Sequence, residues 1–340
     1  MREAAEDNTL ARGTDSMTRG TVSDPPEGQL RPRHIMWRRQ YDGRRYARHL
    51  SQLELNKRIR DIVLNMLRLQ QDTKIGLGPI TKQSAIWMEK WTHVLEEMQL
   101  RHGPYPGGFT REILHSEPFP NFVSELAQKA AHKLSVLGLQ NGDVFIKFGK
   151  RAHMQSLFEG GMLRIQSASF FSSANNGAIK DDELTVPVSL VLSRDDVVQV
   201  VVNPQDVPQD AADQRVDIQF HFGTDYWLYC VTSSAEPRLF VDFNADACVI
   251  IKDRQTFTRM LRESSERELA GTKMGDGPAD YIDPLLPSSA KVFVPLSKYF
   301  GYTYQEEHRF FWIPPKPIAK LSHRDIEIGS LRIIADLIVL

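Results

Sequence analysis

DVFIKFGKRAHMQSLFEGGMLRIQSASFF, residues 143–171, is where the texture of this chain changes. Residues 144–148 are an apolar, β-like run. Residues 152–158 carry helical spacing, and Gly160 and Gly161 stop it. From Met162 the pattern alternates again, with Leu163, Ile165, Ser167 and Ser169 on one side of a strand reaching Phe171. Further strand-like runs follow at 184–192, 197–202, 216–222, 226–231, 239–243 and 247–251, and strands resume at Val292 and at 308–313. A helix capped by Asp253 runs to about Leu269, and the Gly-, Pro-, Asp- and Ser-rich residues 271–290 read as a long loop. Many strands with few helices between them argue against a doubly wound parallel sheet. The expectation is an α+β chain whose strands form a mixed or antiparallel sheet, or a split sandwich.

Upstream the chain is different. Residues 1 to about 30 have almost nothing to bury and read as a disordered tail, here taken to 35, with Met17 and Met36 as alternative starts. Residues 36–140 form a helical region. Ser51 and Glu54 make a capping box before Leu55, Ile59, Ile62, Val63, Met66 and Leu69. Gly76, Gly78 and Pro79 break that helix. Thr81 caps a second, striped by Trp87, Trp91, Val94, Leu95 and Met98 and ended by Gly103. Asn121 caps a third, with Phe122, Leu126, Ala130 and Leu134 inside. Residues 141–340 form the strand-rich domain.

Composition bounds the class. The 340 residues are 41% hydrophobic and carry a formal net charge of −1, so bulk charge makes no case for nucleic acid. Two cysteines, Cys230 and Cys248, are too few for a disulfide framework or a four-thiolate zinc site and point to a reducing compartment. No apolar run approaches the ~20 residues that span a bilayer, and the first residues lack a signal-peptide core. A soluble cytoplasmic protein with no membrane partner is expected.

Tyr302-Thr303-Tyr304-Gln305-Glu306-Glu307-His308-Arg309-Phe310-Phe311-Trp312 joins acids, bases and aromatics just before a strand. In an extended chain Gln305 and Glu307 share a face and Glu306 points away. An amide beside a carboxylate can anchor a sugar hydroxyl and orient a nucleophile. The plainer reading is a surface strand on which Glu307 pairs with Arg309 or Lys298.

The order of segments over about 143–315 resembles the mono-ADP-ribosyltransferase superfamily, with its split sheet, a basic residue on the first core strand, a Ser-containing strand and a late Q-x-E motif. Gln305-Glu306-Glu307 is similar to that motif. The first strand is then 145–151, with Lys147, Lys150 or Arg151 as its basic residue. The Ser element is 169–173, with Ser172 and Ser173, or 232–234 after the strand at 226–231. The same segments resemble an uncharacterised bacterial family found near phage-defence and toxin–antitoxin loci, whose aromatic, acid-x-acid-x-Arg stretch is matched by Tyr304 to Arg309. The resemblance implies NAD as substrate and an unidentified macromolecular or small-molecule acceptor, in a toxin or phage-defence effector. Glu307 would stabilise the oxocarbenium-like ribose through its 2′-hydroxyl as nicotinamide leaves. Gln305 would orient the acceptor, and Arg151 would bind a phosphate of NAD. Ser172 or Ser173 would brace the pocket, and Tyr304 and Trp312 would stack on a ring.

Other residues support other classes. Arg31, Arg33, Arg38, Arg39, Arg44, Arg45 and Arg48, interleaved with Trp37, Tyr41 and Tyr46, suit phosphates and unpaired bases. Asn175-Asn176-Gly177 reads as a hairpin turn. Asp181, Asp182 and Glu183 flank it and make a metal-dependent nucleic-acid enzyme one alternative. His153, His221 and His308 lack ligand spacing, so no metal site is expected. A noncatalytic binding or sensor protein, with a defence or antitoxin role on the same fold, is the other alternative. It would keep Glu307 salt-bridged on a closed surface.

Overall fold

The computed structural model describes residues 32–69, 75–77, 82–103, 121–139, 142–191, 215–287 and 292–340. Residues 1–31 of the expected tail, the Thr81 cap and the strand at 197–202 lie outside them, and residues 33–35, also assigned to the tail, instead begin a helix.

Ser51 caps its helix as the capping box requires. Its hydroxyl accepts from the Glu54 N–H at 3.2 Å, and the Glu54 carboxylate accepts from the Ser51 N–H at 2.6 Å. Helix α2 (Gln52–Met66) follows, preceded by α1 (Arg33–Arg44), which carries most of the basic, aromatic stretch read from sequence. Helix α3 (Lys82–His102) ends at Gly103, and α4 (Glu125–Ser135) is capped by Ser124 rather than Asn121. Strands β1 (Leu67–Leu69) and β2 (Ile75–Leu77) form a small antiparallel ladder where a helix break was expected.

The aromatic residues of α1 and its flank serve packing. Tyr41 and Tyr46 are buried against Leu55, Ile59, Val94 and Met98, which removes them from base stacking. Tyr41 donates to the buried Glu97 carboxylate at 2.5 Å, which also accepts from Arg45 and Arg101 at 2.9 and 2.6 Å. Arg45 and Arg38, which is 2.9 Å from Glu96, are therefore partnered within the fold.

The rest of the chain builds an eight-stranded sheet: β3 (Phe145–Gly149), β4 (Met162–Ser167), β7 (Trp227–Thr232), β8 (Ala247–Ile251), β9 (Lys273–Pro278), β12 (Glu307–Ile313), β13 (Arg324–Glu327) and β14 (Ala335–Val339). All its pairings are antiparallel. Strand β7 is the trunk. Strand β12 lies along one edge, residue for residue from Trp312 opposite Trp227 to Glu307 opposite Thr232. The other edge is shared: β4 pairs at Trp227 and Leu228, while β3 pairs only at Thr232. The sheet therefore forks, one arm continuing to β13 and the other to β8 and β14. Tyr229, Cys230 and Val231 have neither arm beside them.

One face carries Phe145, Val249, Phe310 and Trp312, covered by Met154 and Leu157 of α5 (Arg151–Gly160) and by Phe257 and Leu261 of α8 (Arg254–Glu268). The opposite face of β3 and β8 carries Ile146, Phe148, Cys248 and Ile250, covered by α4 and by α7 (Arg238–Asp242). Gly161 stops α5 at φ 70°, where its Cα lies against the Gly329 backbone; a Cβ there would stand 2.0 Å from the Gly329 oxygen.

Four sequence expectations change. Residues 239–242 are helical and Phe243 is the C-cap. Residues 168–171 leave the strand as the short α6 (Ala168–Phe171). The Asn-Gly segment makes turns rather than a two-strand hairpin. Part of the expected loop is ordered into β9 and β10 (Asp280–Ile282), because β9 covers the outer edge of β12 and β10 pairs in parallel with β11 (Ser297–Tyr299). A separate ladder joins β5 (Thr185–Val191) to β6 (Arg215–His221).

The helical region is fastened to this body by a buried fork. Arg58 of α2 donates to both Asp283 oxygens, at 2.9 and 2.8 Å, and Lys90 of α3 joins the same carboxylate. Asp283 is held at a pKa well below the usual carboxylate range: burial opposes ionisation, and the two cations outweigh it. Among the described residues no helix is long and apolar enough to cross a membrane.

His93 supplies a test of the helical packing. It is buried, bonded to the Tyr46 hydroxyl at 3.1 Å, and burial with nearby Lys90 lowers its pKa to about 4. A histidine depressed in the fold favours the folded state fully above its unfolded pKa, and that stability is lost as pH falls. Urea unfolding is expected to show a loss of about 3 kcal/mol between pH 6.5 and pH 4 from this group, at about 1.4 kcal/mol per unit. The slope should flatten in His93→Gln.

Candidate functional site

A pocket of about 300 Å³ opens where the sheet forks. Its floor is residues 228–232 of β7, the stretch that the arms leave without a full ladder. Glu307 enters from β12, Lys147 from β3, Lys298 from β11 and Glu183 from the turn before β5. Phe170 and Phe171 of α6 form an apolar wall. Apolar walls with a few convergent polar groups are the usual make-up of a small-molecule site.

Glu307 is the first residue of β12 and 8% exposed. Lys298 donates to its Oε1 at 2.5 Å and Arg309 to its Oε2 at 3.1 Å. The two pairings proposed for a surface strand thus form, but in the interior. Burial alone would raise the Glu307 pKa; the two cations reverse that and hold it at about 2. Each carboxylate oxygen has two acceptor sites, so one on each oxygen remains for a ligand hydroxyl.

Arg309 is fully buried. Its guanidinium reaches Glu183 at 2.8 and 2.9 Å and the Ser297 carbonyl at 2.8 Å, besides Glu307. Burial lifts the Glu183 pKa above its ordinary value despite Arg309.

Lys147 is different. Its Nζ donates to the Cys230 carbonyl at 2.6 Å, in the open stretch of β7, and lies 4.4 Å from the centre of the Tyr229 ring. Among the described residues no carboxylate lies within ion-pair distance of it. Burial pushes its pKa down, with Cys230 and Glu307 opposing.

The structure brings some of the expected residues together and separates others. Glu307 and Lys147 line one pocket. Arg151 begins α5, exposed and outside that lining, with its N–H on the Asp246 carboxylate at 2.5 Å. Gln305 does not share a strand face with Glu307. It closes a 3-10 turn (Phe300–Gln305), Glu306 is left-handed at φ 42°, and the strand starts only at Glu307. Gln305 is enclosed, its amide donating to the Ala178 carbonyl at 2.9 Å. Tyr304 packs under the Arg238 guanidinium at 3.7 Å, and Trp312 is core. Ser172 and Ser173 are exposed and bond the Ser169 and Phe170 carbonyls; the adjacent phenylalanines line the pocket instead. Of the two candidate Ser elements, 232–234 meets the motif. The Thr232 hydroxyl donates to the Gln305 carbonyl and the Ser233 hydroxyl to that of Glu306 at 3.1 Å.

Asp182 turns away, accepting from the Leu184 N–H, while Asp181 and Glu183 face the same cations, with Glu183 committed to Arg309. Among the described residues no three His, Cys, Asp or Glu side chains are placed to hold a metal ion. Asn65 of α2 is a residue that sequence gave no reason to single out. Its side chain accepts from the Tyr304 N–H and donates to the Gly301 carbonyl, both at 2.8 Å, and so fixes the turn before Glu307. Comparison with protein-family models, curated proteins and solved structures gives no match.

The charge cluster makes a stability prediction. Arg309→Met leaves Glu183 and Glu307 without their shared cation, and a loss of about 3–5 kcal/mol in chemical unfolding is expected. Arg309→Met/Glu183→Gln should be less unstable than the sum of the single variants. Additivity in that cycle would mean the pair is not coupled.

Proposed function

We propose that the fork pocket binds NAD and transfers its ADP-ribosyl group to an acceptor, as the resemblance to ADP-ribosyltransferases implies. The observation that carries this reading is the meeting of Lys147, Thr232 and Glu307 from three neighbouring strands around one pocket at the split in the sheet. The family pattern is a basic residue on the first strand, a Ser-containing strand and a late Q-x-E motif; here Lys147, Thr232 beside Ser233 and Glu307 stand at those places, while Gln305 is enclosed. Lys147 takes the place first given to Arg151, and residues 232–234 take that of Ser172 and Ser173.

The chemistry follows from the charges. Glu307 is a carboxylate at any physiological pH, and its free lone pairs accept the ribose 2′-hydroxyl. As the bond to nicotinamide lengthens, positive charge grows on the ribose and the attraction to Glu307 grows with it. Lys147 has no carboxylate of its own, so a pyrophosphate oxygen supplies the counter-charge. Phe170 and Phe171 offer an apolar face to the nicotinamide ring. Gln305 is too enclosed to orient an acceptor. The biological setting in this reading is a toxin or phage-defence effector.

A second reading, a noncatalytic NAD-binding or sensor protein, is favoured by one observation: Lys298 and Arg309 already occupy both oxygens of Glu307. Turnover separates the two. Purified protein is incubated with labelled NAD and a cell lysate as acceptor source. Nicotinamide release and label transfer are expected, reduced about a hundred- to a thousandfold in Glu307→Gln. Lys147→Met should weaken NAD binding, and Arg151→Ala should change neither. Binding without turnover would select the sensor reading, and absence of binding would overturn both.

A further inference from the structure

The opposite face of the sheet carries a second cleft, of about 800 Å³, between α8 and the ends of β3, β9 and β12. The face of α8 turned away from Phe257 and Leu261 supplies Arg254, Gln255, Thr258, Arg259 and Arg262 to it. These positions recur at four-residue steps, so three guanidiniums, an amide and a hydroxyl line one side of a helix without a carboxylate among them. The facing wall is His308 and Asp276, whose side chains are 3.0 Å apart.

The cations here are available. Arg254 stacks over Phe145 at 4.2 Å and donates to the Gly142 carbonyl, with no carboxylate in ion-pair distance among the described residues. Arg259 meets Glu263 at 3.2 Å and Arg262 meets Asp276 at 3.7 Å, both at exposed positions where such pairs are weak. Lys252, at the rim, pairs with Asp336. Of the three acids in the cleft, Asp253 caps the Thr256 N–H at 2.9 Å and Asp276 holds His308, leaving Asp143. With His308 Nε2 on Asp276, Nδ1 has no partner among the described residues. His308 itself lines the cleft.

We propose that this cleft binds the phosphate groups of a nucleotide or of a nucleic-acid strand. Guanidinium forks match phosphate oxygens in geometry and charge. Three on one helix face serve more than one phosphate. The site is separate from the fork pocket and stands whether or not that pocket takes NAD.

The test uses the full chain at low ionic strength, with tripolyphosphate and a fluorescein-labelled single-stranded oligonucleotide as probes. Saturable binding of at least one is expected, weakened about tenfold or more in Arg259→Gln/Arg262→Gln. Both arginines are more than half exposed, at 63% and 58%, so the variant keeps its fold. The His308 ring resonances should move as tripolyphosphate is added. Tighter tripolyphosphate identifies a free nucleotide as the source, and a tighter oligonucleotide identifies a strand. Failure of both probes to bind, or equal binding by the variant, overturns the proposal; the variant also separates this site from the basic residues of α1.

Discussion

A guanidinium sealed in the interior sets the terms for everything around it. Arg309 has no exposed surface, and its charge cannot be removed at any pH a protein survives. The fold must bring it counter-charges, and it draws them from two separate places: Glu183 before β5, and Glu307 two residues back on its own strand. The carbonyls of the 295–297 segment complete its coordination. Lys298 follows immediately and takes the remaining side of Glu307. Asp181 lies close enough to interact with the same two cations, so three carboxyl groups gather about Lys298 and Arg309. Lys147, on β3 across β7 from β12, has no ion-pair partner among the described residues. Of the cations lining the pocket, Lys147 alone makes no ion pair among the described residues.

The fork explains why that cation sits where it does. A continuous ladder would have filled the edge of β7 at Tyr229, Cys230 and Val231. Because β3 pairs at one end and β4 at the other, backbone groups between them need other partners. Lys147 reaches across to the Cys230 carbonyl. A site made this way is narrow and has a floor of fixed backbone, which restrains its side chains better than a surface loop would. The helical region contributes at a distance: Asn65 fastens the turn that leads into Glu307, and Arg58 holds Asp283 just after β10.

Much of this was legible in the chain. The capping box at Ser51, the stop at Gly161, the Asp253 cap and the strands at 145, 227, 247 and 307 each rest on local chemistry, and local chemistry is what a sequence displays. The misreadings share a cause. Residues 239–243 alternate like a strand, but 239–242 pack as a helix on α4. Residues 273–278, rich in glycine, pair with β12 because the edge of β12 needs a partner, a fact written elsewhere in the chain. The Gln305–Glu307 alternation assumed extended backbone, and the left-handed Glu306 broke it. Glu183, Lys298 and Arg309 lie up to 126 residues apart in the bonds they make, and no spacing rule connects them.

The motif itself shows how far residue type is from role. Glu307 and His308 are neighbours in sequence, but β geometry sends them to opposite faces. One enters a confined pocket beside two buried cations; the other faces a wide cleft edged by a helix of arginines. The same two-residue period puts Arg309 with Glu307 and Phe310 with His308, so the strand alternates between a charged interior and an apolar core. A single run of acids, bases and aromatics thus contributes to two sites of different chemistry. It follows that a substitution at 307 tests the fork pocket alone, and one in α8 tests the cleft alone, because the sheet stands between them.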